Sequence, residues 1–341
     1  MKILLPVTVA LCLVAGCASW LLPYDLQHVP AKAETEPMFG TADQADDPSL
    51  WVHPLDSSLS IILGTNKEGG LYIYNLAGEQ QGILHVGRVN NVDVRGDLAV
   101  ASNDQVNGLS WFRIRPTESG ARVRHIGDTK VRRYEPYGVC LGIVAGELTV
   151  GVTYPNGAFE IWRASDNGSE VSKFLVRTEI FASQVEGCVF DDAGKRVFVG
   201  EEDHGVWSLD LADPASRPRE VDTIAAGNGL VEDVEGVSLY AVGEERGYLV
   251  VSAQGADRFV LYDRQPPHVP RGTFRIVSSV DGSVDGVSHT DGIEASSVPM
   301  SGYPMGILIV QDDANPKIEK DQNFKLVDWR DVDTALALTA P

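Results

Sequence analysis

The chain has 341 residues, of which 48 are Asp or Glu and 28 are Lys or Arg, so its formal net charge is −20. This length allows a large hydrophobic core, and the negative charge argues against binding to nucleic acids or to anionic membrane surfaces. The 34 glycines and 18 prolines are more typical of a protein with many tight turns than of a helical one.

The N-terminus has the features of an export signal. Lys2 precedes an apolar run over residues 3–14, which is too short for a permanent membrane-spanning helix. The tetrapeptide Val14-Ala15-Gly16-Cys17 is typical of a bacterial lipobox. It predicts a signal peptide over residues 1–17 and lipidation of Cys17. An ordinary secretory signal with an incidental cysteine is the alternative.

The residues after the cysteine predict a destination and a tether. Ala18 follows Cys17, and no Asp is present there to retain the protein at the inner membrane. We therefore expect an exported outer-membrane lipoprotein, facing the periplasm or the cell surface and touching the membrane only through its lipid. Residues 18–42 show no sustained periodicity and predict a flexible tether before one folded domain at 43–341.

A short pattern, in which a polar or acidic residue opens an apolar strand, recurs six times. The clearest copies are Gln184-Val185-Glu186-Gly187-Cys188 and Asp233-Val234-Glu235-Gly236-Val237. A period of roughly 45–50 residues is typical of β-propellers, whose blades each contain four strands. We call the equivalent residues the anchors, and they are Asp47, Asn91, Tyr137, Glu186, Glu235 and Asp291.

A second strand and a polar turn follow each anchor. These runs are rich in Val, Ile and aromatic residues and are bounded by Gly, Asn or Asp. Only the segment at 328–335 has a helical pattern. The sequence therefore predicts an all-β, six-bladed propeller, since a β-sandwich would not explain six equivalent anchors. The second strands are expected at residues 60–64, 97–101, 147–151, 196–200, 248–251 and 307–310.

Two cysteines fall at similar positions of adjacent repeats. Cys140 lies three residues after Tyr137, and Cys188 lies two residues after Glu186. Because adjacent blades bring their inner strands together and export permits disulfides, we predict that these cysteines are bonded. Two buried free thiols are the alternative.

The anchors predict a metal site. The innermost strands of a propeller run parallel around a central channel, so equivalent residues meet at one mouth. Four carboxylates in one mouth are costly unless cations or protons accompany them, and hard oxygen ligands favour Ca²⁺. The turns after the second strands add Glu202 and Asp312 to this face. The alternative is that Glu-Gly and Asp-Gly are ordinary turn sequences, which suits one copy better than four.

The motifs together resemble the β-propeller phytase family, six-bladed calcium-dependent phosphatases that act on inositol hexakisphosphate (phytate). The resemblance covers about residues 43–329. It is carried by Ala45-Asp46-Asp47-Pro48-Ser49-Leu50-Trp51-Val52, Thr65-Asn66-Lys67, Asn90-Asn91-Val92-Asp93-Val94-Arg95, Glu186-Gly187, Glu201-Glu202-Asp203, Asp233-Val234-Glu235-Gly236, Tyr262-Asp263-Arg264-Gln265, Thr290-Asp291-Gly292 and Gln322-Asn323-Phe324-Lys325.

The resemblance implies residue roles. Ligands of a catalytic cluster of several Ca²⁺ ions would be Asp47, Tyr137, Glu186, Glu202 and Glu235. Asp46 and the carbonyl of Val92 match a more buried structural calcium site, while Asp291 and Asp312 lie where the family has further acidic ligands. Lys67 matches a residue that contacts substrate phosphate.

The implied activity is phosphate release from phytate, or from a lower inositol phosphate, bound as its calcium complex by a monomer. Direct attack by water or hydroxide on calcium needs no protein nucleophile. This fits a sequence that contains no HExxH, GxSxG or GxxxxGK[ST] motif. Two alternatives are a calcium-dependent lactonase-type hydrolase and a surface-anchored binding propeller without activity.

The chain also departs from the family at three expected cations. Glu68, Asp104 and the segment Thr153-Tyr154-Pro155-Asn156 stand where the family has Lys or Arg. Arg88 is the expected substitute at the substrate, with Arg95 and Arg133 as further candidates. Because these three positive charges are missing, a smaller phosphate ester is an alternative substrate.

Overall fold

The computed structural model of the chain describes residues 25–40, 43–315 and 322–338. The predicted signal peptide and Cys17 lie outside the described residues. Within the described ranges the chain forms 25 strands, three 3-10 helices (Ser57–Leu59, Ile224–Ala226 and Gln254–Ala256) and the helix α1 (Trp329–Ala335). The strands are β1 (Leu26–Pro30), β2 (Ala33–Glu34), β3 (Ala45–Trp51), β4 (Ile61–Asn66), β5 (Gly70–Asn75), β6 (Gln80–Leu84), β7 (Val89–Arg95), β8 (Leu98–Asn103), β9 (Gly108–Thr117), β10 (Gly120–Lys130), β11 (Val139–Val144), β12 (Glu147–Thr153), β13 (Ala158–Asp166), β14 (Val171–Ile180), β15 (Val185–Asp191), β16 (Arg196–Glu201), β17 (Gly205–Asp210), β18 (Arg219–Thr223), β19 (Val234–Val242), β20 (Arg246–Ala253), β21 (Arg258–Asp263), β22 (Pro270–Val277), β23 (Ile293–Ser296), β24 (Ile307–Asp312) and β25 (Asn323–Asp328).

The strands form the blades of a six-bladed propeller, which confirms the predicted fold class. Blades one to five are β3–β6, β7–β10, β11–β14, β15–β18 and β19–β22, each an antiparallel meander. The sixth contains β23, β24 and β25. The six predicted second strands are β4, β8, β12, β16, β20 and β24. The first strand of each blade lines the central channel.

The segment before the first blade takes part in two blades. β2 pairs antiparallel with β25 and becomes the fourth strand of the sixth blade, so residues from both ends of the folded chain share one sheet. β1 adds to the outer edge of the fifth blade, parallel to β22. Over residues 25–40 the predicted tether is therefore wrong. The two strands are too short to show a period, and their backbone hydrogen bonds come from blades almost 250 residues or more away in sequence.

The hydrophobic core is divided among the interfaces between blades. In the described residues it consists of six clusters, one for each pair of neighbouring blades. One cluster joins the sixth blade to the first, where Phe324 packs on Tyr74. Burial of these apolar faces is the main favourable contribution to closing the ring.

Helix α1 covers the outer part of the fifth and sixth blades. Asp328 caps it by accepting a hydrogen bond from the backbone N–H of Arg330, and Trp329 stacks on Tyr240 at a centroid distance of 3.6 Å. The short helical pattern at 328–335 is thereby confirmed. No helix in the described residues is both long and apolar enough to cross a bilayer.

A disulfide joins the inner strands of the third and fourth blades. Cys140 on β11 is bonded to Cys188 on β15, with Cα atoms 5.7 Å apart, as the sequence predicted. This bond closes a loop between residues 48 apart, which restricts the unfolded chain.

We expect the double variant Cys140→Ser/Cys188→Ser to lose about 2–4 kcal/mol of unfolding free energy. Chemical denaturation with and without a reductant measures the change. Reduction should lower the stability of the parent protein and leave the variant unaffected, and equal stability of the two oxidised proteins would contradict the prediction.

Candidate metal centre

Irregularities in the inner strands place the anchors at one end of the channel, which we call the channel mouth. The ladder to the second strand skips two residues after Ala45, Val89, Val185 and Val234. The skipped residues include the anchors Asp47, Asn91, Glu186 and Glu235. A β-bulge of this kind changes the direction of a side chain locally, and bulges are frequent beside functional sites.

The glycine after each of four anchors is required by close packing between inner strands. A Cβ atom on Gly138, Gly187 or Gly236 would lie 2.0, 2.2 or 2.5 Å from the carbonyl oxygen of the next blade's anchor. One on Gly292 would lie 2.1 Å from Asp47 Oδ1. None of these glycines has a positive φ. The recurring Glu-Gly and Asp-Gly pairs therefore mark close approach of backbones, and the ordinary-turn interpretation is wrong.

Hydroxyl groups at the ends of the second strands hold the anchor backbone, and the sequence reasoning missed them. Thr65 Oγ1 accepts from the N–H of Asp47 at 2.8 Å, and Ser102 Oγ accepts from the N–H of Asn91 at 3.0 Å. Thr153 Oγ1 donates to the carbonyl oxygen of Glu186 at 2.8 Å. A Ser or Thr recurring at the end of the second strand was the available signal.

Glu186, Glu202 and Glu235 form the carboxylate cluster at the channel mouth. One oxygen from each lies within 4.8 Å of the others. Glu186 and Glu235 are 3% and 7% exposed, while Glu202 is half-buried and accepts a hydrogen bond from Gln184. The sequence prediction that these three residues meet is thus confirmed by the geometry.

Asp46 and Asp47 bring two more buried carboxylates to the same end. Neither oxygen of Asp46 has a hydrogen-bond partner among the described residues. Asp47 Oδ2 accepts from the N–H of Val92 at 3.0 Å. Glu235 Oε2 and Asn91 Oδ1 are also buried without such a partner. Unpaired buried oxygens are costly, and bound cations would satisfy them.

Lys67 is a cation set among these carboxylates. Its Nζ lies 3.0 Å from Asp291 Oδ2, 3.0 Å from Asp43 Oδ2 and 3.9 Å from Asp46 Oδ2. Burial lowers the pKa of Lys67, but the negative charges of these carboxylates outweigh it and hold the pKa above its ordinary value. Asp291 also accepts from Gln254, which the sequence reasoning missed.

Burial and mutual repulsion favour the protonated forms of the acidic groups. Burial raises the pKa of Glu235 to about 8. Burial, followed by the charge of Glu235, raises the pKa of Glu186 well above its usual range, and burial does the same for Asp46 and Asp47. The charge of Glu186 raises the pKa of Tyr137, so its phenol stays protonated. A cation would offset each of these costs of ionisation.

Two predicted residues lie apart from the carboxylate cluster. Asp312 is fully buried and pairs with Lys325 at 3.1 Å, so the expectation that it joins the mouth carboxylates is not supported by its contacts. Arg88 is exposed before β7, and its backbone carbonyl accepts from the N–H of Asp104 at 2.9 Å.

The other two candidate cations, Arg95 and Arg133, each lie beside a carboxylate. Arg95 ends β7 and faces Asp192 at 3.5 Å inside the channel, four residues beyond Asn91, so it does not lie at the mouth. Arg133 precedes Tyr137 and pairs with the buried Glu160 at 3.2 Å.

The donor set at the mouth fits hard divalent cations. All candidate ligand atoms are oxygens, several are buried and accept no hydrogen bond from the described residues, and one lysine faces three carboxylates. Such oxygen-rich sites suit Ca²⁺. The glutamates, Asp46, Asp47 and Asp291 would be the charged ligands, with Tyr137 and the backbone carbonyl of Val92 as neutral ones.

We expect the calcium-free protein to lose stability as pH rises. The pKa of Glu235 is about 8 in the folded protein against an ordinary 4.5, so the folded state binds the proton more tightly. The stabilisation that comes from this bound proton is complete below pH 4.5 and is lost as pH rises through about 8. Calcium needs ionised ligands, so its stabilising effect should grow over the same window.

Thermal unfolding in chelator and in calcium, between pH 5 and 8.5, measures both effects. Glu235→Gln in chelator should show a shallower decline with pH than the parent protein. A parent protein whose stability in chelator declines no more steeply than that of this variant between pH 5 and 8.5 would contradict the assignment.

Comparison with known proteins adds two findings. The family model described as Phytase matches residues 3–339. A 3-phytase from Bacillus subtilis (strain 168) is 32% identical over an alignment of 325 residues, and the match covers 89% of this chain and 84% of that protein.

Proposed function

The chain belongs to the phytase family, and from this premise we propose that it releases phosphate from phytate, or from a lower inositol phosphate, with Ca²⁺ held at the channel mouth. The activity is that of a phosphoric monoester hydrolase on a propeller scaffold. The observation that carries the calcium assignment is the carboxylate cluster, three glutamate oxygens within 4.8 Å of one another. Its location near Asp46, whose oxygens accept no hydrogen bond from the described residues, supports the same assignment.

Charge explains why cations are needed. Phytate is a dense polyanion, and the chain carries a net charge of −20, with carboxylates concentrated at the mouth. Direct contact between them would be strongly repulsive. Calcium ions bound there would supply positive charge to the phosphate groups and would make a nearby water more acidic.

The chain's own residues hold and orient the site. Glu186, Glu202, Glu235 and Asp47 would hold the catalytic ions, and Asp46 with the Val92 carbonyl a more buried one. The bulges and the hydroxyl contacts of Thr65, Ser102 and Thr153 fix the backbone that carries the anchors. Fixed ligands need little rearrangement during the reaction, which favours the transition state.

Lys67 and Arg88 are the cations that we assign to the substrate. Lys67 pairs with Asp291 and Asp43 in the present structure. When these carboxylates take part in cation binding, the ammonium of Lys67 can turn to a substrate phosphate. Arg88 is exposed next to Asp104, where it can contact a peripheral phosphate.

One assay separates the proposed function from its alternatives. Phosphate release from phytate and from p-nitrophenyl phosphate is measured with calcium, with a lactone as a third substrate. We expect release from phytate. Opening of the lactone alone would overturn the proposal in favour of a lactonase-type hydrolase, and calcium binding without turnover of any substrate would overturn it in favour of a binding propeller.

We also propose that the chain is exported as a monomeric outer-membrane lipoprotein. The lipobox before Cys17 and the disulfide support this location, since disulfides persist in oxidising compartments. Mass spectrometry of the N-terminal peptide from membrane fractions should find acyl chains on Cys17. A mature N-terminus at another residue would contradict lipidation.

A further inference from the structure

A second cleft lies between the fourth and fifth blades, on the face opposite the channel mouth. Its volume is about 410 Å³, and Arg196, Arg217 and Arg219 line it. Arg196 begins β16, whereas Glu201, at the other end of that strand, precedes Glu202 of the carboxylate cluster. The cleft and the proposed calcium site are therefore separated by the length of a strand.

Strand register shows that the cleft is a formed surface of the fourth blade. Arg196 is opposite Asp210, and Ser208 is opposite Arg219, so these side chains project from one face of the sheet. The fifth blade supplies the facing wall, where His268 packs edge-on against Phe198 at a centroid distance of 5.2 Å. Burial lowers the pKa of His268, so this wall is uncharged at pH 7.

The three arginines differ in how they are held. Arg196 Nη2 donates to Gln265 Oε1 at 3.2 Å, and its Nε lies 3.6 Å from the buried Asp191. Arg217 and Arg219 are exposed, and no carboxylate of the described residues lies within 4.0 Å of either. Glu220, the acidic residue next to them, is paired with His204 at 3.0 Å.

Two guanidinium groups with no carboxylate of the described residues within 4.0 Å thus line one cleft, in a chain whose acidic residues outnumber its basic ones by 48 to 28. A guanidinium binds phosphate through two parallel hydrogen bonds. Ser208 and Asp210 add acceptors that suit alcohol groups, because a carboxylate accepts a hydrogen bond from a hydroxyl. The cleft thus combines donors for phosphate with acceptors for hydroxyls.

We propose that this cleft binds, without calcium, a polyol phosphate that carries both phosphate and free hydroxyl groups. Partly dephosphorylated inositol phosphates belong to this class, and their supply by the channel mouth rests on the proposed function. Fully phosphorylated phytate has no free hydroxyl and is disfavoured beside Asp210. The site would retain product on a surface remote from the reacting groups.

Calorimetry in excess EDTA tests the proposal, with an inositol trisphosphate as the titrant. We expect saturable binding by the parent protein, and at least 10-fold weaker binding by Arg217→Gln/Arg219→Gln. Arg122→Gln/Arg124→Gln, which removes two exposed arginines from β10, is the matched control and should bind like the parent. Absence of binding in EDTA, or equal binding by the parent and the Arg217/Arg219 variant, would overturn the proposal.

Two further arms identify the ligand class and separate this site from the channel mouth. Inorganic phosphate that binds as tightly as the trisphosphate would overturn the polyol assignment. Phosphate release from saturating phytate in calcium should be the same for the parent and Arg217→Gln/Arg219→Gln. Loss of that activity together with loss of binding would show that the arginines serve the catalytic site. It would also overturn the proposal that the cleft is a separate site.

Discussion

Glu186→Gln lowers calcium-dependent phosphate release from phytate by at least about 100-fold, the size of loss seen when one preorganised charged or polar contact to a transition state is removed. Glu186 is 3% exposed and shares the carboxylate cluster with Glu202 and Glu235. An amide keeps the shape of the side chain but removes the negative charge that a divalent cation requires. Initial rates over a range of free calcium measure the effect.

The same variant should remain folded without calcium. Burial and the charge of Glu235 raise the pKa of Glu186, so replacing the carboxylate with a neutral amide removes a cost of folding in chelator. Glu244→Gln, at an exposed position on the opposite face, is the control and should keep the parental rate. Parental turnover by Glu186→Gln at every calcium concentration would refute its assignment as a ligand.

Lys325→Met should destabilise the protein by about 3–5 kcal/mol at pH 7, the usual cost of breaking a buried ion pair by removing one partner. Lys325 Nζ is fully buried and contacts Glu34 at 2.5 Å, Asp285 at 2.9 Å and Asp312 at 3.1 Å. It also donates to Asn315 at 2.7 Å. Glu34 belongs to β2, so this lysine ties the N-terminal strand to the blade that closes the ring.

Chemical denaturation at pH 7 and pH 5 measures this effect and its cause. Burial raises the pKa of Asp312 even though the charge of Lys325 lowers it. When Lys325 is replaced by Met, the carboxylates that it contacts should protonate more readily. Much of the lost stability should therefore return at pH 5, and Asp312→Asn should partly rescue Lys325→Met. A loss below about 1 kcal/mol at pH 7 would contradict the account, since an unpaired buried charge costs more than that.

The repeat made most of the architecture predictable. Six anchors at similar spacing determine six blades, and the place of Cys140 and Cys188 in adjacent repeats predicts their bond. The meeting of Glu186 and Glu235 at one mouth follows from the same equivalence. These features depend on a period, which a single sequence displays.

Other features depend on contacts between distant and unrelated segments, which a single sequence does not display. β1 and β2 occupy blades whose other strands begin more than 200 residues later. The pairing of Asp312 with Lys325 removes a carboxylate that the repeat assigned to the mouth. Arg95 lies inside the channel because β7 continues past its anchor, a distinction that requires three-dimensional coordinates.

The proposed function requires that cations at the carboxylate cluster make phosphate release possible. Its most direct test is phosphate release from phytate after thorough chelation, followed by stepwise return of free calcium. We expect no release in chelator and a saturable recovery with calcium, while the protein remains folded throughout. Undiminished release at vanishing free calcium would contradict it.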